Sequence, residues 1–313
     1  MSQSLAFVFP GQGSQHLGML QELAADYPII EQTFQEASDV LGFDLWALVQ
    51  SGPEEELNAT HNTQPALLTA GVALWRLWEQ KGGATPSVLA GHSLGEYTAL
   101  VCGGAIDFAD GVRLVQARGR YMQEAVPAGT GGMAAILGLD DAAVVAACEQ
   151  AAQGEVVSAV NFNCPGQVVI AGEKAAVERG IEACKEAGAK RAVPLPVSVP
   201  SHCALMKPAA DQMAQALEGV DLRMPMIQVI QNVTAEAPSD VDELKRNLLT
   251  QLYSPVLWTR SVQNMLTCGV TTTIECGPGK VLAGLNKKVD RALNVVAIND
   301  PAGLDKALAL LAE

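Results

Sequence analysis

Short apolar runs alternate along this chain with longer segments in which apolar residues recur at helical spacing. The short runs predict buried β-strands at residues 5–9, 88–90, 226–231, 272–275 and 295–298. The longer segments predict helices at residues 64–80, 108–125, 208–218 and 256–268. Because strands that alternate with helices are typical of a parallel sheet covered by helices, the pattern predicts an α/β fold with a mostly parallel sheet.

In the middle of the chain the predicted elements follow a different order, β-α-β-β-α-β. The predicted strands and helices of this segment are 133–139, 141–152, 156–162, 167–171, 175–187 and 192–196. This order is typical of a ferredoxin-like unit, and glycine- or proline-rich stretches border it at 127–132 and 195–196. We therefore predict a ferredoxin-like small domain at 128–196, inserted in a large domain made of 1–127 and 197–313.

Composition and charge narrow the class of protein. The chain has 313 residues, of which 49% are hydrophobic and 17% charged, as expected for a globular protein. A net charge of −14, with no basic run that contains aromatic residues, disfavours nucleic-acid binding. No apolar stretch reaches the length of a membrane span, and no basic start of a signal peptide is present. The seven scattered cysteines include no Cys-x-x-Cys pair, so we expect reduced thiols, no structural zinc and a cytoplasmic location.

One pentapeptide contains a candidate catalytic nucleophile. Gly91-His92-Ser93-Leu94-Gly95 follows an apolar run and precedes a predicted helix at 94–101, which is the context of a nucleophile elbow. A serine on such a tight turn projects its hydroxyl only if the residues two positions away lack side chains. The N-terminus of the following helix also suits a developing oxyanion. We therefore predict that Ser93 is a nucleophile on a hydrolase-like fold.

A nucleophilic serine needs a base, and the chain offers four histidines. His16 and His61 are placed in loops, and His92 adjoins Ser93, where neighbouring side chains diverge, so it is predicted to pack. His202 follows the serine in the chain and precedes a predicted helix, which is the order found in hydrolase-like folds. His202 is therefore the predicted base.

No acidic residue presents itself as a third member of a triad. We therefore expect a serine–histidine dyad in which a backbone carbonyl orients the imidazole. Cys203 adjoins the histidine, but no second histidine is available to activate it, so it is predicted to pack in the core.

An arginine occupies an unexpected position on the predicted helix 108–125. At about 100° per residue, Arg118 falls within the apolar face, between Leu114 and Met122. A buried guanidinium needs an anionic partner. Two alternatives stay open from the residues alone: an internal salt bridge to a core carboxylate, or a bidentate anchor for a carboxylate on the substrate.

Taken together and in order, these motifs resemble those of the malonyl-CoA:acyl-carrier-protein transacylases of dissociated bacterial fatty-acid synthesis. The resemblance covers essentially the whole chain, including the predicted insertion. The motifs that carry it are Phe9-Pro10-Gly11-Gln12-Gly13-Ser14-Gln15, Gln64-Pro65-Ala66, Gly91-His92-Ser93-Leu94-Gly95-Glu96-Tyr97, Arg118-Gly119, Pro200-Ser201-His202 and Glu275-Cys276-Gly277-Pro278-Gly279.

The resemblance implies a role for each matching residue. Ser93 would be the nucleophile and His202 the general base and acid. The backbone N–H groups of Gln12 and Leu94 would form the oxyanion hole. The main-chain carbonyl of Gln251 would orient the histidine, which accounts for the missing acidic residue.

The resemblance also implies the reaction. A malonyl group would pass from malonyl-CoA to Ser93 and then to the phosphopantetheine thiol of acyl carrier protein, with Arg118 holding the malonyl carboxylate. CoA enters as part of the thioester substrate, and no metal or redox cofactor is expected. Ser201 stands where related domains that select malonyl units often carry Phe, which leaves the exclusion of methyl-branched substrates open.

Two other functions share parts of this pattern. A serine esterase or thioesterase would use Ser93 and His202 but would have no use for Arg118, and a non-catalytic docking protein would need none of the three. The densest basic cluster lies in segment 279–291 and is either a docking site for an acidic carrier protein or a solvated helix face. Its members are Lys280, Lys287, Lys288 and Arg291.

Overall fold

The computed structural model describes residues 4–197 and 199–310, and the strands of these ranges form two sheets. The strands are β1 (Ser4–Phe9), β2 (Val88–Gly91), β3 (Gly131–Leu137), β4 (Val157–Cys164), β5 (Gln167–Glu173), β6 (Arg191–Pro194), β7 (Gln228–Ile230), β8 (Val270–Glu275) and β9 (Asn294–Ala297). The first sheet has the order β7-β2-β1-β8-β9 and is parallel, and the second has the order β4-β5-β3-β6 and is antiparallel.

Helices cover both sheets, and several lie where the apolar pattern made no prediction. The helices of the first part are α1 (Gln21–Asp26), α2 (Ile29–Leu41), α3 (Leu45–Ser51), α4 (Glu54–Asn58), α5 (Thr60–Gln80), α6 (Leu94–Cys102) and α7 (Phe108–Glu124). The later helices are α8 (Asp141–Ala152), α9 (Lys174–Glu186), α10 (Lys207–Glu218), α11 (Val241–Gln251), α12 (Trp258–Thr267), α13 (Val281–Val289) and α14 (Pro301–Leu310). No helix in the described ranges is long and apolar enough to span a bilayer.

The parallel sheet confirms the predicted α/β architecture. β1 lies at its centre, pairs with β2 and β8, and is buried along most of its length. Phe9 lies opposite Gly91, and Val8 lies opposite Glu275, so the carboxyl ends of the three strands meet at one edge of the sheet. In open parallel sheets this edge is where ligands bind.

Many predicted boundaries are shifted by one or two residues, and three of the differences have a clear local reason. The helix predicted from 64 begins at Thr60, so that His61 and Pro65 lie inside it. The polar residue Thr63 can be buried in this first part of the helix because its hydroxyl donates to the carbonyl of Leu57 at 2.6 Å. His61 is therefore helical and exposed, and the predicted polar loop is absent there.

The other two boundaries lie in the second half of the chain. The helix predicted from 256 begins at Trp258, because Val256 donates its N–H to Val160 of strand β4 instead of entering a helical turn. The strand predicted over 226–231 covers only Gln228–Ile230. Met226 is 86% exposed, and Gln231 bonds to the backbone of Glu236, so neither continues the sheet.

The antiparallel sheet confirms the predicted β-α-β-β-α-β order of a ferredoxin-like unit. Its four strands and helices α8 and α9 enclose a separate apolar core that includes Ile136, Val168 and Ile170. Backbone bonds from Phe162 to Val256 and from Val256 to Val160 join it to the parallel-sheet part of the molecule. The division of the chain after 127 and after 196 stays a prediction.

Candidate active site

Ser93 occupies the turn between β2 and α6, in a backbone conformation that few side chains adopt. Its φ is 53° and its ψ is −110°. A Cβ on Gly91 would lie 1.8 Å from the carbonyl oxygen of Gly95, and a Cβ on Gly95 would lie 2.1 Å from that of Phe9. Only glycine fits at either position, because real Cβ atoms do not approach backbone so closely. The two glycines thus permit the strained turn that presents the Ser93 hydroxyl.

The structure brings Ser93 and His202 together across the chain. The Oγ atom of Ser93 lies 2.7 Å from Nε2 of His202, and Nδ1 of His202 lies 2.6 Å from the carbonyl oxygen of Gln251. A carbonyl can only accept, so Nδ1 carries the ring hydrogen and Nε2 is the acceptor for the serine hydroxyl. The predicted contact between a serine, a histidine and a backbone carbonyl is present in the structure.

The surroundings of His202 keep its imidazole neutral. Burial and the nearby positive charge of Arg118 lower its pKa to about 3, although the bond to the carbonyl of Gln251 opposes the shift. Below neutral pH an ordinary histidine would begin to protonate, but this one keeps its lone pair on Nε2. It is therefore in the form that can accept a proton from Ser93.

Arg118 lies beside the serine, and no charged side chain among residues 4–197 and 199–310 forms an ion pair with it. It is 1% exposed; its Nη1 donates to Gln64 Oε1 at 2.8 Å, and its Nη2 donates to Gln251 Oε1 at 2.9 Å and to Ser93 Oγ at 3.3 Å. Its Nε–H has no acceptor among the described residues, and no carboxylate there lies within 4.0 Å. The structure thus does not contain the internal salt bridge that was one of the two alternatives for Arg118.

Two backbone N–H groups near Ser93 are available as donors. Gln12 and Leu94 line the same cavity as Ser93, and Leu94 is the first residue of α6. Within the described ranges neither N–H donates a hydrogen bond to another residue. The side chain of Gln12 is held by a bond from its Nε2 to Thr60 Oγ1 at 3.3 Å. These two donors fit the predicted oxyanion hole.

The site forms the floor of a cavity of about 250 Å³ between the two sheets. Its floor is polar, with Gln64, Arg118 and His202, and its walls include apolar side chains from both parts of the molecule. These apolar residues are Met122, Met133, Leu195, Pro196, Val197 and Val199. Polar side chains such as Asn58, Gln123 and Asn161 also line it, so the cavity combines one buried cation with walls of mixed polarity.

One residue that is hydrogen-bonded to the backbone of the nucleophile elbow was not identified from the sequence pattern. Asn232 follows β7; its Oδ1 accepts the N–H of Ser93 at 2.7 Å, and its Nδ2 donates to the carbonyl of Gly91 at 2.7 Å. Its backbone N–H donates to the carboxylate of Glu96, whose pKa burial raises to about 7. Because 139 positions separate Asn232 from Ser93, no local pattern could have revealed the contact.

The remaining candidates lie where a structural role was expected or outside the cavity. Nε2 of His92 bonds Oδ1 of Asn163 at 2.8 Å, and its ring packs against Trp258. Cys203 is buried, its thiol donates to a backbone carbonyl, and burial raises its pKa to about 11. His16 does not line the cavity.

A serine on an elbow, bonded to a neutral histidine on an α/β fold, is the arrangement of an enzyme that forms an acyl-serine intermediate. The comparisons with known proteins make the class more specific. Residues 6–298 match the family model described as the acyl transferase domain. The chain is 62% identical over 305 residues to the malonyl CoA-acyl carrier protein transacylase of Escherichia coli strain K12, covering 97% of this chain and 99% of that one. The corresponding protein of Bacillus subtilis strain 168 is 47% identical, with 99% of this chain and 98% of the relative covered.

Solved structures agree with these relatives. A malonyl-transacylase solved in complex with a type II PKS acyl-carrier protein has a TM-score of 0.97 at 59% identity, covering 98% of this chain and 99% of that one. An acyl carrier protein S-malonyltransferase from Vibrio cholerae has a TM-score of 0.95 at 62% identity, covering 97% and 99%. The chain belongs to the acyl transferase family and, within it, to the malonyl CoA-acyl carrier protein transacylases.

Proposed function

We propose that this enzyme transfers a malonyl group from malonyl-CoA to the phosphopantetheine thiol of acyl carrier protein, in fatty-acid biosynthesis. One observation carries the proposal: the Oγ atom of Ser93 contacts both His202 Nε2 at 2.7 Å and Arg118 Nη2 at 3.3 Å. A nucleophile, its base and an unneutralised cation meet at one point. This combination suits an acyl group that ends in a carboxylate.

The first half-reaction loads the serine. His202 Nε2 accepts the proton of the Ser93 hydroxyl while Oγ attacks the thioester carbonyl of malonyl-CoA. The N–H groups of Gln12 and Leu94 donate to the oxyanion that forms. The C–S bond then breaks, CoA leaves as a thiol with the proton from His202, and a malonyl-serine ester remains.

The second half-reaction reverses these roles. The carrier-protein thiol gives its proton to His202 and its sulfur attacks the ester carbonyl. When the tetrahedral intermediate collapses, the C–O bond breaks and Ser93 recovers the proton from His202. Proton transfer and N–H donors suffice for both steps, so the proposal requires no metal or redox cofactor.

Arg118 supplies selectivity in this proposal. Its hydrogen-bond partners Gln64 and Gln251 are neutral amides, so its charge is oriented but not compensated. The carboxylate of a malonyl group would compensate that charge through a bidentate bond, whereas an acetyl group would leave it unpaired.

The decisive experiment uses malonyl-CoA and mass spectrometry. With malonyl-CoA alone, the protein should gain one malonyl mass, located on the peptide that contains Ser93. Addition of holo acyl carrier protein should move that mass to the carrier. If free malonate is the main product in the presence of carrier protein, the enzyme is a thioesterase and the proposal is wrong.

The proposal also includes a cytoplasmic location. All seven cysteines are free: five are buried, Cys102 is partly buried and Cys268 is exposed. Free thiols are typical of proteins from reducing compartments, where malonyl-CoA and carrier protein would both be available.

A further inference from the structure

A buried carboxylate lies directly behind the nucleophile elbow. Glu96 is on the first turn of α6 and is fully buried. Its Oε2 accepts the backbone N–H of Asn232 at 2.6 Å, and its Oε1 accepts Nε2 of Gln231 at 3.1 Å. Gln231 is itself held by Asn247, whose Nδ2 donates to Gln231 Oε1 at 2.8 Å. Each oxygen of Glu96 therefore receives one donor from the segment after β7.

That segment in turn holds the peptide groups around the nucleophile. The Ser93 N–H donates to Asn232 Oδ1 at 2.7 Å, and the Ser93 carbonyl accepts Nε2 of Gln251 at 3.0 Å. The same Nε2 lies 3.2 Å from Asn232 Oδ1, and Asn232 Nδ2 donates to the carbonyl of Gly91 at 2.7 Å. Both sides of the strained residue are thus bonded to side chains from distant parts of the chain.

We propose that Glu96 is a positioning residue for acyl transfer. By fixing the backbone of Asn232, it fixes the amide that holds Ser93 at a positive φ, with its Oγ directed at His202. This inference rests on the proposed function, because it concerns the rate at which Ser93 is acylated.

The chemistry of the group supports this role over packing alone. A buried carboxylate is costly unless its oxygens are hydrogen-bonded, and no cation forms an ion pair with Glu96 in the described part of the chain. Its two acceptors match two N–H donors. A glutamine at this position would turn an N–H₂ group toward one of those donors, and a strained backbone persists only where its surroundings hold it in place.

The test compares Glu96→Gln with Glu275→Gln. Glu275 is also fully buried at the end of a central strand, but its Oε2 accepts the N–H of Ala283 at the start of α13, and within the described ranges its side chain forms no hydrogen bond with residues 91–95. Three quantities are measured on each variant: kcat and KM for malonyl transfer, the melting temperature, and the rate at which a small uncharged fluorophosphonate labels Ser93. Labelling requires a correctly oriented Ser93 hydroxyl, but it does not require recognition of a substrate carboxylate.

We expect E96Q to slow both kcat and labelling by about ten- to a hundredfold, since a small misplacement of reacting groups has effects of this size. The KM for malonyl-CoA should stay within about twofold, because the substitution removes no hydrogen bond of Arg118 and no side chain that lines the cavity. E275Q, whose amide oxygen can still accept the N–H of Ala283, should leave both rates within about twofold. If E96Q lowers only the melting temperature, Glu96 is a structural residue and the inference is wrong.

A double-mutant cycle with Asn232→Ala tests whether Glu96 affects the rate of Ser93 labelling through Asn232. If Glu96 acts through Asn232, E96Q should cost less than about twofold when added to N232A. Losses that multiply would contradict the inference. If E96Q fails to fold, Glu96→Asp is the second variant. Its shorter side chain keeps the carboxylate but moves both oxygens away from the N–H donors of Gln231 and Asn232. Normal labelling of Ser93 in that variant would overturn the inference. Loading of Ser93 in the unmodified enzyme tests the proposed function separately.

Discussion

The carbonyl oxygen of Gln251 lies 2.6 Å from Nδ1 of His202, while the side chain of the same glutamine accepts a bond from Arg118. A main-chain oxygen therefore does the orienting that an aspartate does in a triad. A carboxylate in that place would raise the pKa of His202 and would also neutralise Arg118. Because the orienting group is uncharged, the guanidinium stays free for a carboxylate on the substrate.

Replacement of the nucleophile should abolish the reaction. Ser93→Ala removes the hydroxyl that lies 2.7 Å from His202, so both adduct formation and transfer should fall by at least about a thousandfold. Intact-protein mass spectrometry after incubation with malonyl-CoA measures the adduct. A malonylated alanine variant would mean that another residue is the nucleophile.

The depressed pKa of His202 should appear in the pH profile. With a pKa of about 3, the imidazole stays unprotonated and competent as a base well below the ordinary value near 6.5. Glu96, whose pKa is about 7, also titrates in this range, so the profile is measured on Glu96→Gln, which lacks that carboxyl. We expect kcat/KM of this variant for malonyl transfer to stay flat as the pH falls from about 7.5 to about 5, provided that the fold is intact by circular dichroism. Activity of this variant should be lost only when the pH approaches the His202 pKa of about 3, and an inflection near pH 6.5 in the variant would contradict this account.

The charge of Arg118 contributes to that low pKa, so its removal should move the profile. Arg118→Ala eliminates a nearby positive charge, and the pKa of His202 should rise toward its ordinary value. The rate of Ser93 labelling by an uncharged reagent, followed against pH, measures the effect without involving carboxylate recognition. The acid limb should shift to higher pH in the variant, and coincident profiles would show that the guanidinium does not act on the histidine.

Arg118 should also decide acyl selectivity. Arg118→Ala removes the attraction for the malonyl carboxylate and the penalty against acetyl, so malonyl transfer should fall by about ten- to a hundredfold while acetyl transfer holds or rises. Rates with malonyl-CoA and acetyl-CoA are measured on one preparation, together with its melting temperature. A parallel loss of both activities and of stability would assign the arginine to the fold alone.

The close approach at Gly95 predicts a strong effect of one added methyl group. In Gly95→Ala the new Cβ would lie 2.1 Å from the carbonyl of Phe9, so α6 must move away from β1, at a cost of about 1–3 kcal/mol or more in the free energy of unfolding. Gly284→Ala is the matched control on another helix, because nothing lies within 4 Å of its Cβ; it should stabilise the protein by about 0.5–1 kcal/mol. Denaturant unfolding measures both, and equal effects would contradict the steric argument.

The basic cluster around α13 should affect only the second substrate. All four of its side chains are exposed, although Lys287 also donates to the carbonyl of Leu293 at 2.9 Å. Reversal of Lys287 and Lys288 to Glu should raise the KM for acyl carrier protein, which is itself acidic, and leave that for malonyl-CoA unchanged. The control reverses Lys185 and Lys306, which changes the net charge equally. If the two double variants behave alike, the carrier docks elsewhere.

The sequence by itself determined most of the parallel sheet and indicated which residues are the candidate reacting groups. Apolar runs such as 5–9 and 88–90 specify buried strands because a parallel sheet is covered on both faces. The spacing of Gly91, Ser93 and Gly95 specifies the elbow because each glycine meets a backbone carbonyl. Arg118 was identifiable because a charge stood on the apolar face of one helix. The short helices α1, α3 and α4 escaped prediction because their five to seven residues are too few to show a clear period. The 13-residue helix α2 was also missed, although its buried residues recur at helical spacing.

Only the tertiary structure decided what those groups contact. The sequence left Arg118 with two alternatives, and in the described part of the fold no carboxylate pairs with the guanidinium, which is bonded to the amides of Gln64 and Gln251. The contacts of Asn232 with the elbow, and of Glu96 with Asn232, join residues more than a hundred positions apart. Periodicity and local motifs carry no information about such pairs, because chain folding alone sets the distance between them.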